Sequence, residues 1–486
     1  MQEFPQKLSI DSQPLPVKVL QFGTGILLRG LPGFFIDKAN RQGIFNGSIA
    51  VVKSTPGSAD GFPEQHNLYT TIVKGVQDGV LVDERFVNSA IASVTSANDH
   101  WPEILELAAN PGIRIIISNT TEVGIQYVEE SIFQHPPQSF PAKLLGFLYE
   151  MYRQTVQKPP PSEGVGGGRS IAVIPTELIP DNGTKLKEIV QRLIRFNQLE
   201  EAFATWLGEH VFFCNSLVDR IVTNASPEML QSLPYEDRLA IQTEPYRLWA
   251  IEGNDEVRQI LSFAQADSGV VIAGNIEYYR ERKLRLLNGT HTISVCLGFL
   301  RGFDTVYEMM RDTAMAAFVE QVAIHEIAPS IPVGEQAGLR GFARDVLDRF
   351  RNPAMEHRLL NITLQATSKM RMRNVPTLLR YHAKFGGVPQ KFAEGFAAYL
   401  LFMKAVKVED GNFYGLRNKE FYRVRDDFAG YFHEVWQTHA NDFPALALAV
   451  CQDTGLWGED LTQISGFAET VGERLAALSA SLAPAE

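Results

Sequence analysis

Three polar side chains, Lys283, Asn288 and His291, stand in the segment YYRERKLRLLNGTHTISVC at residues 278–296. Their spacing is Lys-x4-Asn-x2-His. On an α-helix turning by ~100° per residue, Asn288 falls about 140° and His291 about 80° from Lys283 around the axis. All three then occupy one side, with Asn288 and His291 a single turn apart. They hold the parts of a carbonyl reduction that needs no metal. A lysine whose pKa is lowered by burial or a nearby cation can protonate a developing alkoxide, and can act as base in reverse. Amide N–H groups can form an oxyanion hole. The run Asn288-Gly289-Thr290-His291-Thr292 consists of poor helix formers inside a helical pattern, and such local rule-breaking often marks a functional site. The competing reading is a snorkelling lysine and a satisfied core histidine.

A second constellation could hold a hydride carrier. The apolar run VKVLQF at 17–22 is followed by Gly23-Thr24-Gly25 and then by an apolar pattern that continues to Asn40. Strand, Gly-x-Gly, helix presents backbone N–H groups and a helix N-terminus to a pyrophosphate, which makes Phe22, Gly23, Thr24 and Gly25 candidate cofactor contacts. The third glycine of the usual fingerprint is missing: Leu28 holds its place, and Gly30 comes just after. A plain βα turn is the alternative. Lys53 stands where an acid would hold an adenosine ribose. That departs from the NAD pattern, and a cation there can instead tolerate a 2′-phosphate; the residues leave NAD against NADP open, and NAD is the expected cofactor with NADP not excluded. Asn119, Thr120, Thr121 and Glu122 follow the strong strand IRIIIS at 113–118. A polar cluster at a strand's carboxyl end suits a nicotinamide ribose or carboxamide; helix capping by Thr120 or Thr121 is compatible with that role.

The elements that must position these residues alternate in the first half of the chain. Val17–Phe22, Ser48–Lys53, Ile113–Ser118 and Ser170–Pro175 read as buried strands, and Gly79–Val82 with Phe86–Val87 as a small hairpin region. Helices are expected at Trp101–Ala109 and from about Gly183 to Asn197. That alternation implies βαβ units and a mainly parallel sheet covered on both faces. The stretch KPPPSEGVGGG at 158–168 reads as a surface loop within this first half. After roughly residue 278 helical periodicity dominates, with candidate helices at 280–299, 304–326, 339–349 and 389–406. Two domains are therefore expected, an α/β one over 1–278 and a mostly helical one over 279–486.

Composition narrows the classes further. The 486 residues are 45% hydrophobic and 21% charged, ordinary values for a globular protein. No apolar run is long enough to span a bilayer, and the N-terminus lacks a secretory pattern, so a cytoplasmic protein without a membrane partner is expected. Cys214, Cys296 and Cys451 show no disulfide or zinc spacing, and no metal site is expected. A net charge of −11 disfavours nucleic acid as a partner. An anionic small ligand remains open to such a chain, given a local basic pocket.

These segments resemble the long-chain mannitol dehydrogenase family of polyol and hexuronate dehydrogenases. The likeness runs in order along nearly the whole chain: VLQFGTGILLRG at 19–30, ISNTTEVGI at 117–125, IPTELIPDNGTKLKEIV at 174–190, NSLVDRIV at 215–222, YYRERKLRLLNGTHT at 278–292, RFRNP at 349–353 and LWGEDLTQ at 456–463. Departures are Pro32 and Gly33 in the first helix pattern, Lys53, and the glycine-rich loop. The resemblance implies a Rossmann-type doubly wound domain, a helical C-terminal domain, and reduction of a hexuronate ketone. It implies Lys283 as general acid/base, Asn288 and Asn182 as the amides that polarise the carbonyl, His291 as the group orienting substrate and lysine, and Asp219 near the substrate. A hexuronate carries a carboxylate, and Ser368–Arg373 with three cations in five residues is the best basic pocket. Lys369 and Arg373 are the expected contacts, although a solvated helix face explains at least one of these cations. Free polyols and polyol phosphates remain rival substrates, and a dinucleotide-binding regulator is the rival class. A monomer or small homo-oligomer is expected.

Overall fold

The computed structural model describes residues 6–8, 13–54, 61–120, 124–157, 169–440 and 442–482. Six strands make its central sheet: β1 (Val17–Phe22), β2 (Ser48–Lys53), β3 (Ile91–Ser96), β4 (Ile115–Ser118), β5 (Ile171–Pro175) and β6 (Val211–Phe213). Their spatial order is β3-β2-β1-β4-β5-β6, and every pairing is parallel. Leu20 faces Ala50 on one side and Ile116 on the other, while Phe22 faces Val52 and Ser118. The strands are apolar at nearly every position because both faces are covered. Val19, Val51, Ile115 and Ile117 enter one core with Phe35 and Trp249. Leu20, Phe22, Val52 and Ile116 enter the other with Trp101, Phe147 and Phe203. The chain starts in the middle of the sheet and reverses direction between β1 and β4, which is the strand order of a dinucleotide-binding sheet.

The apolar pattern after β1 forms two helices, α1 (Ile26–Gly30) and α2 (Pro32–Arg41). The break is at Leu31, with φ −127° and ψ −77°. Pro32 causes it, since the residue before a proline is pushed out of the helical region. Gly30 supplies the close packing expected of a fingerprint glycine, two positions later than the pattern places it. A Cβ built there would lie 2.6 Å from Val222 Cγ2, and the Gly30 carbonyl accepts from Arg220 Nη1 at 2.6 Å.

Several strands were not visible in the periodicity. The hairpin is larger than expected: Tyr69–Gln77 and Val80–Asn88 turn at Asp78-Gly79, both with positive φ. It forms a second sheet with Ile241–Thr243 and Val222–Asn224. A third sheet joins Ser216–Asp219, Leu248–Glu252 and Val270–Ala273. The glycine-rich loop at 158–168 lies outside the described residues.

The second half is helical, as the sequence implies, but its longest segments are broken. Asp312 ends one helix and accepts from the Met315 N–H to begin the next, so the expected helix over 304–326 becomes Val306–Arg311, Thr313–Glu320 and a π-helical segment, Gln321–Ile327. Gln336–Phe350 and Gln390–Phe402 are intact helices. A three-stranded antiparallel sheet, Lys407–Glu409, Asn412–Arg417 and Glu420–Val424, interrupts the helices. Its first turn is Asp410-Gly411, a hairpin signature open to view in the sequence.

The chain divides into two compact units, Met1–Lys74 with Val82–Ile276, and Gly75–Leu81 with Glu277–Glu486. The hairpin tip thus belongs with the helical unit, where Gly79 N–H donates to Asp348 Oδ2 at 3.0 Å. Among the described residues no helix is long and apolar enough to cross a membrane.

Gly30→Ala should destabilise the protein by about 1–3 kcal/mol in chemical denaturation, the usual cost of overpacking. Val222→Ala in the same chain should recover part of that loss. Additive losses in the double variant would show that Gly30 matters for another reason.

Candidate functional site

The candidate residues fall in both units, and each group is built from its own surroundings. In the sheet unit, β1 ends where the backbone must turn sharply. Gly23 has φ +116°, and a Cβ there would lie 3.0 Å from the Asn119 carbonyl oxygen. Its N–H donates to the Val52 carbonyl at 3.0 Å, so the turn is tied to the neighbouring strand. Gly25 is exposed, with nothing within 4 Å of the space a Cβ would fill. Its carbonyl accepts from Leu28 N–H at 3.1 Å, which starts α1. Phe22 sends its ring into the core, edge-on to Phe140 with centroids 5.2 Å apart. Its carbonyl accepts from Asn119 N–H at 3.2 Å. Lys53, at the end of β2, is buried rather than solvated.

The loop after β4 is locked by a residue that motif reading passed over. Glu177 is buried, and its Oε1 accepts from the Thr120 N–H at 2.9 Å and the Thr120 hydroxyl at 3.0 Å. Its Oε2 accepts from the Ser118 hydroxyl at 3.1 Å. Burial pushes the Glu177 carboxyl above its ordinary value, against the pull of those hydrogen bonds. Asn119 Nδ2 donates to the Thr176 hydroxyl at 3.0 Å and carbonyl at 3.2 Å. Glu177 sits in the quoted PTELI stretch, so its signal was present as an acid beside a buried strand end. Thr121 and Glu122 lie outside the described residues.

Asn182 and Asp219 are both buried. The Asn182 amide donates to the carbonyls of Pro175, Glu177 and Ser216 at 3.0–3.1 Å, and its oxygen accepts from Gly183 N–H and Ser216 N–H. Both amide hydrogens are therefore spent inside the protein. The structure gives this side chain the work of clasping the strand end to the helix Asn182–Phe196. Asp219 closes the strand Ser216–Asp219. The next residue, Arg220, stacks over Phe34 at 4.2 Å, and burial with the nearby Arg247 lowers its guanidinium to about 9.

In the helical unit, Lys283–Gly289 is a π-helix between α-helical Glu277–Arg282 and Thr290–Leu300. This changes the azimuth derived above from α-helical geometry. Hydrogen bonding from i to i+5 widens the turn, and five is the separation of Lys283 and Asn288. The two side chains thus come to successive turns, closer in azimuth than an α-helix allows. His291 follows Asn288 by three residues, across the point where the π segment passes into the α-helix at Thr290. Lys283 and Asn288 are half-buried and His291 is buried.

A second π segment, Met370–Asn374, packs against the first. Arg285 Nη1 donates to the carbonyls of Met372 and Arg373 at 2.6 and 3.0 Å, and Asn374 Nδ2 donates to the Gly289 carbonyl at 3.0 Å. Glu281 pairs with Arg285 through two hydrogen bonds, at 3.1 and 3.2 Å, and also with Arg380. These arginines hold its carboxyl below the usual range despite its burial. Arg373 Nη1 donates to the Thr292 hydroxyl at 3.2 Å, which donates to the Asn288 carbonyl at 2.8 Å. Arg373 is thereby linked to the Lys283–Asn288–His291 face. Lys369 Nζ donates to the Ile362 carbonyl at 2.9 Å; burial and Arg373 lower its ammonium, while Asp426 opposes the shift.

His291 lies against Phe350, with ring centroids 3.9 Å apart. Burial, and after it the neighbouring His357 and the cations Arg349, Arg373 and Lys369, hold its pKa well below the ordinary imidazole value, and burial with Arg349 lowers His357 as well. His291 is therefore neutral at physiological pH.

Residues 17–263 match the mannitol dehydrogenase Rossmann domain, and residues 275–479 match the mannitol dehydrogenase C-terminal domain. The chain belongs to the mannitol dehydrogenase family. Membership makes it an oxidoreductase of CH–OH groups, with a nicotinamide dinucleotide as the cofactor class. Among its relatives, a protein named altronate oxidoreductase from Halalkalibacterium halodurans is 37% identical, covering 96% of this chain and 91% of that one. One of the same name from Bacillus subtilis is 36% identical over 94% and 91%. In fold, the chain is similar to D-sorbitol dehydrogenase in substrate-free form, with TM-score 0.77, 19% identity, and coverage of 96% and 94%. It is also similar to Pseudomonas fluorescens mannitol 2-dehydrogenase in complex with NAD and D-mannitol, with TM-score 0.61, 20% identity and the same coverages.

The depressed His291 pKa predicts a signed effect on stability. The unfolded chain takes up this proton near the ordinary imidazole value and the folded chain only at lower pH. The stabilisation is complete above the ordinary value and is lost as pH falls below it. Melting temperature should therefore drop more steeply from about pH 7.5 to about pH 5.5 in the native protein than in His291→Asn. Parallel curves would mean that His291 does not fold as a buried neutral group.

Proposed function

We propose that the chain catalyses the reversible NAD(P)-dependent reduction of a hexuronate ketone, D-tagaturonate to D-altronate. The observation that carries the reading is the π-helical register of Lys283–Gly289, which sets an amine and an amide on successive turns beside a group of cations. Lys283 gives a proton to the substrate oxygen in reduction and removes it in oxidation. Asn288 donates an amide N–H to the same oxygen as negative charge builds on it. His291, being neutral, orients substrate and lysine without adding a further charge. Asn182 acts as a positioning residue through the turn it clasps. Asp219 and the cations Lys369 and Arg373 bind the substrate, the cations taking its carboxylate.

The dinucleotide, when bound, supplies the hydride chemistry. The residues of the sheet unit fit it: Gly23 makes the tight turn, and Gly25 leaves open space over the backbone. Thr24 and the backbone of Phe22 complete that turn, and Asn119 and Thr120 are held in place by Thr176 and Glu177. Thr121 and Glu122 belong to the same proposed contact segment. NAD is the proposed cofactor, with NADP tested beside it because buried Lys53 occupies the place of a ribose-binding acid. Support for the hexuronate comes from near full-length likeness to proteins named altronate oxidoreductase.

The test is oxidation of NADH and of NADPH against tagaturonate, fructuronate, fructose and fructose 6-phosphate. Tagaturonate should give the highest kcat/KM; preference for a neutral ketose would overturn the substrate assignment. Lys283→Ala should lower kcat by about 10²–10⁴-fold while the protein still binds NADH, as read by fluorescence. Turnover close to that of the native enzyme would remove Lys283 from the chemistry.

A further inference from the structure

Two runs of widened helix face each other in the helical unit, and each reaches into the backbone of the other. Pro376 lies two residues beyond the second run, Met370–Asn374. A proline has no N–H and its ring crowds the carbonyl four residues back, so the Met372 carbonyl has no α-helical donor. Arg285, from the first run, donates Nη1 to that carbonyl at 2.6 Å and to the Arg373 carbonyl at 3.0 Å. Its Nε and Nη2 are committed to Glu281. In return Asn374, the last residue of the second run, donates Nδ2 at 3.0 Å to the carbonyl of Gly289, the last residue of the first. A third link runs from Arg373 through the Thr292 hydroxyl to the Asn288 carbonyl.

The run that carries Lys283 and Asn288 is thus pinned at its middle and at its end to the run that carries Arg373 and follows Lys369. Crowding does not fix the approach at the pinned end. A Cβ built on Gly289 would meet Asn374 Nδ2 at 3.7 Å and the Arg373 carbonyl oxygen at 3.8 Å, which are ordinary contacts. The hydrogen bond sets the spacing there. Folding gains little from it, because Asn374 is fully buried and its Oδ1 has no hydrogen-bond partner among the described residues. A buried oxygen left unpaired costs more than one neutral hydrogen bond contributes. An apolar side chain of similar size would serve stability better, and what the amide supplies is register.

We propose that Arg285 and Asn374 are positioning residues of the reduction. As a reciprocal clasp they hold the π register that brings Lys283 and Asn288 to one substrate oxygen, and they set the distance of that pair from Lys369 and Arg373. Neither residue gives or takes a proton. Both act through the backbone of the facing run, and Pro376 supplies the carbonyl that Arg285 grips. The inference rests on the assignment of the chemistry to Lys283 and Asn288, and it adds two residues to that assignment.

The test measures kcat per NADH-binding site, with tagaturonate or whichever of the four ketoses the native protein reduces fastest. Asn374→Leu removes both the bond to Gly289 and the unpaired oxygen. Its kcat should fall by about 10–100-fold, the scale of a misplaced catalytic group, while its melting temperature holds or rises. KM should move by less than about threefold, because the contacts proposed for the carboxylate sit on the other run. Arg285→Lys keeps a charge for Glu281 and a donor for the facing carbonyls, and should retain about tenfold more kcat than Arg285→Met. Activity that drops only in step with the melt describes a structural role and overturns the proposal. So does a kcat within about twofold of native in both Asn374→Leu and Arg285→Met. Unchanged kcat in these variants, with Lys283→Ala inactive, removes the clasp and keeps the proton donor. Lowered kcat in them, with Lys283→Ala fully active, keeps the clasp and removes Lys283.

Discussion

One widened helical turn sets which residues of the helical unit face one another. Residues 283–289 close their hydrogen bonds from i to i+5, and that register carries Lys283 and Asn288 to adjacent turns. A π segment is less stable than the α-helix it interrupts, so its surroundings must hold it. Here Arg285 and Asn374 bond across to the carbonyls of the facing π segment and of Gly289, and Glu281 orients Arg285 with two hydrogen bonds. Removing Glu281 would strip the buried Arg285 of its carboxylate partner, which costs far more than the pair itself contributes. The network therefore acts less as a source of stability than as a rule fixing which residues face one another.

Charge is the second constraint. Low-dielectric surroundings strengthen every uncompensated interaction, so a buried imidazole beside several cations remains unprotonated. That neutrality spares the region one further positive charge. The same economy governs the sheet unit. Glu177 is a buried acid, and it is tolerated because Ser118 and Thr120 supply donors to both of its oxygens. Its hydrogen bonds turn a loop at a strand end into a fixed edge.

Backbone geometry supplies the third. Gly23 bends the chain where a side chain would strike the Asn119 carbonyl, and Gly30 lets α1 rest directly on Val222. Pro32 then ends α1 and restarts the chain as α2, so the first helix after the turn is short. Asn182 uses all its polar atoms to join the end of β5 to the next helix. This is the side chain that the family resemblance offers as a carbonyl-polarising amide, and both of its amide hydrogens go to backbone carbonyls of the turn.

The sequence alone determined the parallel core and the chemistry available to it. β1 and β2 run over Val17–Phe22 and Ser48–Lys53, the spans their apolar runs imply, because strands buried on both faces must be apolar throughout. The helical character of the second half was equally plain, since periodicity over long windows is a strong signal. Tertiary structure decided what short or irregular segments do. Strands of three to five residues such as Val222–Asn224 and Leu248–Glu252 carry too few positions for a period, and exist because neighbouring strands pair with them. The π turn could not be read from Lys-x4-Asn, because a local pattern computed at 100° per residue assumes the helix it is meant to reveal. Nor could Arg349 and His357 be joined to His291 from spacing: they lie 58 and 66 positions further along the chain, and only folding lets side chains that distant act on one ring.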